Sequence, residues 1–230
     1  MKASENKNHR TRVAAERREK TRARLLDSAL YVFAQKGPHA VIDDVIAHAG
    51  MARGSFYNYF RTNEELLAAV ARDVSNELMR AIDPLVIDCA DPAVRVASGA
   101  RLLLHAVKDH ALFAAFVARL PFPTASSGLV GIQFLSRDVS LGISAGRFRH
   151  VLARPATDLV TGVVLSAAYS VTLQASDADY PEQMVRVLLR GLGLGMAEAA
   201  RIVALVLPVL ELPPESILAR AGAHGPAVLV

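Results

Sequence analysis

Apolar residues recur at helical spacing along most of the chain, and no segment shows the sustained alternation that predicts a β-strand. The first clear case covers residues 21–37, where one stripe is formed by Leu25, Leu26, Ala29, Leu30, Phe33 and Ala34. Gly37 and Pro38 predict the end of this helix, because glycine accepts a left-handed cap and proline cannot continue the hydrogen-bond ladder. The pattern predicts an all-α fold.

A second, short helix is predicted over residues 43–49. Asp43 and Asp44 lie in its first turn, where carboxylates complement the positive end of a helix. Gly50 and Met51 then predict a tight turn.

A third helix is predicted over residues 52–59, and a fourth begins near Thr62 or Asn63, either of which can cap it. Two short helices joined by a glycine turn and flanked by longer helices are typical of the helix-turn-helix, the scaffold that sets one helix in the DNA major groove. We predict this motif at about 41–60.

The third helix has an apolar side and a polar side. Phe56, Tyr59 and Phe60 are spaced to pack inward, and the residues that face away from them are Arg53, Ser55, Tyr57 and Asn58. These donors suit phosphates and base edges, and Gly54 lets the backbone approach a phosphate closely. The alternative is an ordinary helix with a polar solvent face, which an exposed tyrosine beside arginine, glycine and serine fits poorly.

Taken in order over residues 24–67, these segments resemble the N-terminal domain of TetR-family transcriptional regulators. The most specific part is the run Gly-Ser-Phe-Tyr-Asn-Tyr-Phe at 54–60. The resemblance implies an all-helical homodimer that binds DNA through residues 21–72. It also implies a C-terminal domain that senses a small molecule, whose binding usually lowers affinity for a palindromic operator.

On this basis we predict contacts with double-stranded DNA for Arg53, Gly54, Ser55, Tyr57, Asn58, Tyr59 and Thr62. Arg53 and Asn58 are the expected base readers, whereas Tyr57, Tyr59 and Thr62 are expected to contact phosphates.

Three departures from the family pattern weaken the expected grip on the DNA backbone. Ala40 and Val41 stand where a capping Ser or Thr is usual, Ile46 replaces a usual alanine, and Asn63 replaces a phosphate-binding lysine.

Charge is distributed unevenly along the chain. Of its 26 basic and 22 acidic residues, residues 1–24 hold nine Lys or Arg against three Glu. The remaining 206 residues are therefore slightly acidic, with 17 basic and 19 acidic side chains. We interpret residues 1–20 as a flexible basic arm that meets a polyanion. Charge alone leaves open a solvated tail or an anionic membrane surface.

Residues 73–230 are expected to form a helical ligand-binding and dimerisation domain. Helices are predicted near 63–82, 93–109, 109–119, 129–147, 156–176, 181–192, 196–207 and 214–221, with loops at 85–92 and 120–128. Gly191, Gly193 and Gly195 are expected to end a helix, because no strand precedes them and no P-loop lysine follows.

Residues 159–176 are 18 consecutive uncharged positions. Their hydroxyl content and flanking aspartates favour a helix buried on several sides over a membrane span, which needs about 20 predominantly apolar residues. Together with the next helix, they match the family's four-helix interface, so a homodimer is expected through about 156–192, with no membrane partner.

A ligand cavity is expected among the helices of residues 93–147, and its phenylalanines suggest an apolar or aromatic ligand. The candidate aromatic residues are Phe113, Phe116, Phe122 and Phe134, and the candidate polar anchors are His105, His110, Arg137 or Asp138. The alternative is that the aromatic rings are plain core and the polar groups surface. His105 and His110 are five residues apart, which disfavours a metal pair on one helix face.

Enzymatic function is disfavoured, because the chain has neither a Gly-x-Ser-x-Gly elbow nor a His-Glu-x-x-His helix. A single cysteine, Cys89, excludes an intramolecular disulfide framework, and no signal peptide is visible. We therefore expect a cytoplasmic, ligand-responsive repressor that has no cofactor or metal. A DNA-binding regulator without a ligand is the alternative, and an enzyme using the C-terminal domain is a remoter one.

Overall fold

The computed structural model describes residues 2–120, 129–173 and 177–224, and its regular elements there are all helices, as predicted. They are α1 (Lys2–Lys36), α2 (Ile42–Ala49), α3 (Arg53–Phe56), α4 (Asn63–Val86), α5 (Pro92–Asp109), α6 (Ala111–Val117), α7 (Val130–Ser144), α8 (Ala153–Leu173), α9 (Tyr180–Gly191), α10 (Met196–Val203) and α11 (Ile217–His224).

The predicted stripe on α1 forms one wall of the N-terminal core. Leu25, Ala29, Leu30 and Phe33 are each at most 1% exposed, and α1 packs against both α2 and α4. The core includes Val45 of α2 and aromatic rings from the segment after it. The end of α1 follows the prediction, since Gly37 has φ +78° and its N–H donates to the Phe33 carbonyl.

Residues 2–20 correct the prediction of a flexible arm, because they continue α1 as one helix of 35 residues. Unbroken backbone hydrogen bonding carries the helix past the core, and the segment contains no glycine or proline that would stop it. Every residue from 11 to 20 is exposed except the half-buried Val13.

The third helix is shorter than predicted. It ends at Phe56, and residues 57–59 form turns. Gly50, with φ +60°, makes the left-handed turn between α2 and α3.

In the C-terminal domain α5 is the central helix and packs against α4, α7, α8 and α9. Helix α4 continues to Val86 despite Pro84, four residues beyond the predicted end, because a proline in the last turn removes only one hydrogen bond. Helix α10 ends at Val203, well before residue 207, and residues 206–213 have no regular structure. Since α4 runs through the expected boundary at residues 72 and 73, one rigid helix belongs to both domains.

Helix α11 returns the chain to the N-terminal domain. Arg220 donates two hydrogen bonds of 2.9 Å to the Asp27 carboxylate on α1. The Ile217 N–H donates to Glu77 on α4 at 2.6 Å. The C-terminal helix therefore ties α1 and α4 together.

Helix α8 contains most of the uncharged residues 159–176. Within the described part of the chain, we find no helix whose length and hydropathy suffice to cross a bilayer.

Candidate DNA-binding surface and ligand cavity

The segment after the glycine turn is anchored by two phenylalanines. Phe56 is fully buried and Phe60 is 4% exposed, and their ring centroids lie 6.1 Å apart. The Phe60 N–H donates to the Phe56 carbonyl, which holds the intervening turns in place. With both rings fixed in the core, residues 53, 57 and 58 are left on the surface.

The surface residues of this segment match the predicted polar side. Arg53, Gly54, Tyr57 and Asn58 are exposed, and Ser55 and Tyr59 are half-buried. Tyr57 keeps 48% of its surface exposed while its ring packs edge-on against Phe56. A Cβ on Gly54 would meet nothing within 4 Å, so this stretch of backbone is open to a ligand.

Arg53 is held in place by two neighbours. A hydrogen bond with Tyr57 and the charge of Asp43 raise the pKa of its guanidinium. Its Nη1 lies 3.3 Å from the Asp43 carboxylate, and both side chains are about 60% exposed. An exposed ion pair of this kind is weak, so a phosphate or a base edge can displace Asp43 at little cost.

Helix α2 begins without a side-chain cap from Val41, as its sequence predicts. Instead, the Asp44 carboxylate accepts from the Val41 N–H at 3.2 Å and from Lys36 Nζ at 2.6 Å. The hydrogen bond from Lys36 holds the pKa of Asp44 below its ordinary value. Asp44 thereby fastens the start of α2 to the end of α1.

Two polar residues at the start of α4 have different roles. Thr62 caps the helix by accepting from the Glu65 N–H at 3.1 Å, and it remains exposed. Asn63 turns inward, where its Nδ2 donates to the Ala40 carbonyl at 2.6 Å and its buried Oδ1 has no partner. Asn63 therefore ties α4 to the loop before α2, and its donor is not directed at a phosphate.

A groove separates the N-terminal part of α1 from residues 53–60, which we call the recognition segment. One wall is formed by His9, Val13, Ala14, Arg17, Arg18 and Thr21, and the other by Asn58 and Tyr59. The Arg18 guanidinium lies 5.9 Å from the centre of the Tyr59 ring. The prediction of a flexible arm missed these α1 residues, although their spacing along one helical face is visible in the sequence.

The C-terminal domain contains a cavity of about 170 Å³ between α4, α5, α7 and α8. Its wall is largely apolar and includes Met79, Ile82, Val96, Leu103, Phe134, Leu135, Val160 and Val164. A Cβ on Gly131 would lie 2.8 Å from Met79 Cγ, so a glycine here lets α7 approach α4.

Charged groups close one end of this cavity. Asp83, Arg95 and Asp138 line it, and Asp138 is 5% exposed. Arg95 donates to Asp138 at 3.2 Å. Arg137 Nη2 donates to Asp83 at 2.7 Å and to Asp138 at 2.9 Å. These hydrogen bonds to Asp138 and Asp83 raise the pKa of Arg137, so two carboxylates and two guanidiniums form one neutral cluster.

The ligand residues predicted from the sequence are only partly brought together here. Phe134 lines the cavity, whereas Arg137 does not line it but holds the two carboxylates that do. Phe113 and Phe116 are corrections: they are buried on α6, which packs against α1, α5 and α8, and neither ring lines the cavity. Phe122 lies outside the described residues.

His105 is also a correction. Its Nε2 lies 2.9 Å from Glu182 on α9, and Arg101 donates to the same oxygen at 3.0 Å. Burial alone would raise the pKa of Glu182, but the hydrogen bonds from His105 and Arg101 outweigh it and lower that pKa. His105 therefore joins α5 to α9 and does not line the cavity.

Helices α8 and α9 expose a face of small and apolar side chains. On α8 this face includes Gly162, Leu165, Ser166 and Tyr169, and on α9 it includes Val187, which is 62% exposed. Exposed charged side chains lie close by, since Asp158 is one turn before Gly162 and Arg190 is one turn after Val187.

Comparison with known proteins agrees with this architecture. Residues 25–70 match the family model described as bacterial regulatory proteins, tetR family. Residues 91–205 match the model of the tetracyclin repressor-like C-terminal domain. The uncharacterised HTH-type transcriptional regulator Rv1255c of Mycobacterium tuberculosis strain H37Rv is 26% identical over 216 residues, which cover 93% of this chain and 96% of that protein.

Two further proteins are similar over different lengths. The HTH-type transcriptional repressor LfrR of Mycolicibacterium smegmatis is 39% identical over 70 residues, covering 29% of this chain and 36% of LfrR. The crystal structure of RolR in complex with resorcinol superposes with a TM-score of 0.66 at 29% identity, covering 86% of this chain and all of that one.

The fold and the exposed recognition segment define a helix-turn-helix transcriptional regulator. The chain belongs to the TetR family of DNA-binding regulators.

Proposed function

We propose that the protein is a homodimeric repressor that binds a palindromic operator and is released from it by a small, neutral aromatic compound carrying hydroxyl groups. Because its target is DNA, it acts in the cytoplasm. The observation that carries the effector part is the cavity of about 170 Å³ with two carboxylates at one end.

DNA recognition rests on the exposed side of the recognition segment. Arg53 and Asn58 present the donors that suit base edges, and Tyr57 presents a hydroxyl suited to a phosphate. Tyr59 and Thr62 remain proposed contacts to the DNA backbone. Gly54 and Ser55 lie between Arg53 and Tyr57 in the chain. Two copies of this segment, related by a two-fold axis, would contact half-sites about one helical turn apart.

Dimerisation rests on the outer face of α8 and α9. Leu165, Tyr169 and Val187 are large apolar side chains exposed on two packed helices, and the hydrophobic effect favours covering them. Gly162 and Ser166 allow close approach of a second copy, in which the same face would be buried.

The size of the effector follows from the volume of the cavity. An engineered protein cavity of about 150 Å³ lined by apolar side chains binds benzene. At about 170 Å³, the cavity described here matches one six-membered ring with small substituents.

The chemistry of the effector follows from the charged end of the cavity. Asp83 and Asp138 are balanced by Arg95 and Arg137, so an ionic ligand would add an unpaired charge in a buried place. A neutral hydroxyl can donate to a lone pair that the carboxylates have left over. The similarity to RolR, whose structure holds resorcinol, supports the same class of compound.

The DNA-binding part is tested by selecting bound duplexes from a random library at fixed salt with the full-length chain. We expect a palindrome to be enriched. Binding without enrichment of any sequence, falling only with rising salt, would contradict a specific operator.

The effector part is tested with the selected operator and a series of phenol, resorcinol, benzoate and benzene. Phenols should raise the melting temperature and release DNA, whereas benzoate should do neither. Gly99→Leu should fill the cavity, since the nearest atom to a new Cβ there is Ile82 Cγ2 at 4.0 Å. This variant should bind the operator as the wild type does, and phenols should not release it. If no compound shifts the melting temperature of the wild type, a regulator without a ligand is the better description.

A further inference from the structure

The N-terminal part of α1 is a long helix that projects beyond the hydrophobic core. Its first fully buried residue among the described side chains is Leu25, whereas α1 as a whole would span about 52 Å at 1.5 Å per residue. An exposed helix gains little from packing, so its position beside the recognition segment calls for a different explanation.

Charge is segregated around this helix. The groove-lining face includes Arg17 and Arg18, together with His9 and Thr21, and contains no acidic residue. At about 100° per residue, Glu19 projects to the far side of the helix, and Glu16 projects beside His9, at the edge of this face. Glu16 is paired there with Arg12 at 3.9 Å. The charged side chains that line the groove, Arg17 and Arg18, are therefore both basic.

Among the described side chains, no acidic group lies within ion-pair distance of Arg17 or Arg18. The Arg18 guanidinium lies over the Tyr59 ring at 5.9 Å, a contact that leaves its N–H donors available. The other wall supplies Asn58 and Tyr59, which are proposed DNA contacts.

We propose that this groove, with a volume of about 860 Å³, holds the sugar-phosphate backbone of the DNA strand that flanks the half-site bound by the recognition segment. Arg17 and Arg18 pair with phosphates on one wall while Asn58 and Tyr59 contact the same strand from the other. The inference rests on the proposed function, and it adds a second, sequence-independent contact outside the helix-turn-helix.

The test compares two double variants that lose the same charge. In the groove variant, Arg17→Ala and Arg18→Ala remove the two arginines that line the groove. In the control variant, Arg12→Ala and Lys20→Ala remove two basic residues that do not line it. Binding to the selected operator and to a scrambled duplex is titrated from about 50 to 200 mM salt. Each lost phosphate contact should flatten the log–log salt slope by about 0.9.

Because each protomer of the proposed homodimer loses two phosphate contacts, we expect the groove variant to lose about 3.6 units of slope and at least tenfold in affinity on both duplexes. The control variant should stay close to the wild type, and Arg17→Lys with Arg18→Lys should restore the slope. With the wild type and the control variant, hydroxyl-radical footprinting should show protected DNA beyond each half-site. The groove variant should lose this protection.

Equal losses in both double variants would overturn the proposal, since the helix would then act as diffuse charge. The proposal would also fail if the groove variant left DNA binding unchanged but abolished binding to anionic lipid vesicles. These outcomes are distinct from failure of the proposed function, in which the wild-type chain itself would select no operator.

Discussion

At the scale of single residues, the recognition surface is restrained by an acidic neighbour. Asp43 lies in the first turn of α2, where its charge favours the helix, and it also holds Arg53 at 3.3 Å. Spacing alone identified Arg53 as an outward-facing donor. The ion pair with Asp43 was not predictable, because it depends on how α2 and α3 cross.

Replacing Asp43 with Asn should strengthen binding to the operator up to about fivefold at low salt, because Arg53 is released and a negative charge near DNA is lost. The gain should shrink as salt rises. Fluorescence anisotropy with labelled operator measures both effects.

Asp88→Asn is the matched control, since it makes the same charge change at an exposed position outside the recognition surface. Weaker binding by Asp43→Asn would show instead that Asp43 orients Arg53 for DNA.

At the scale of elements, the helix-turn-helix depends on a bond between two helix starts. Asn63 on α4 donates to the carbonyls of Ala40 and Pro38, at 2.6 and 3.4 Å, in the loop that leads into α2. A lysine is usual here in the family pattern, so the sequence predicted a weaker phosphate contact. The inward orientation shows that Asn63 acts as a structural tie.

Asn63→Ala should lower the free energy of unfolding by about 1–2 kcal/mol, because two buried carbonyls lose their donor. Asn63→Asp should cost more, since a carboxylate has no donor at neutral pH and would face those carbonyls at close range. Urea unfolding at pH 7 compares the two variants with the wild type.

The decisive result is which of these two variants has the lower free energy of unfolding. Equal stability of Asn63→Asp and the wild type would mean that the side chain faces solvent. A loss confined to DNA affinity would support a phosphate contact.

At the scale of the whole molecule, one helix joins the two proposed activities. Helix α4 begins beside the recognition segment and, further along, lines the cavity with Met79 and Asp83. A ligand that displaces the part of α4 in the cavity wall can therefore shift the start of the same helix, next to the recognition segment. Helix α11 is hydrogen-bonded to both α1 and α4, so it links the same helix to the N-terminal domain a second time.

The proposed dimer predicts that Val187→Glu on α9 will shift the protein to a monomer and weaken binding to a palindrome far more than binding to a single half-site. A carboxylate at this position would have to lose its hydration to enter the dimer interface. Light scattering across a concentration series measures the molar mass.

Val41→Glu is a suitable control, because Val41 is 57% exposed against 62% for Val187 but lies on α2's N-terminal side. It should remain dimeric. A monomeric wild type, or a Val187→Glu protein that stays dimeric, would contradict the interface on α8 and α9.

The sequence by itself determined the helical class, the helix-turn-helix and its outward donors, because these depend on local periodicity, caps and turns such as Gly37 and Gly50. It identified Phe134 and Asp138 beside the cavity but also proposed Phe113 and His105, since an apolar or titratable residue looks the same in a core and in a pocket. Only the tertiary structure decided which rings enclose the cavity, which carboxylates share Arg137, and that residues 2–20 continue α1. Those outcomes depend on contacts between residues far apart in the chain, such as Arg137 with Asp83 and Arg18 with Tyr59.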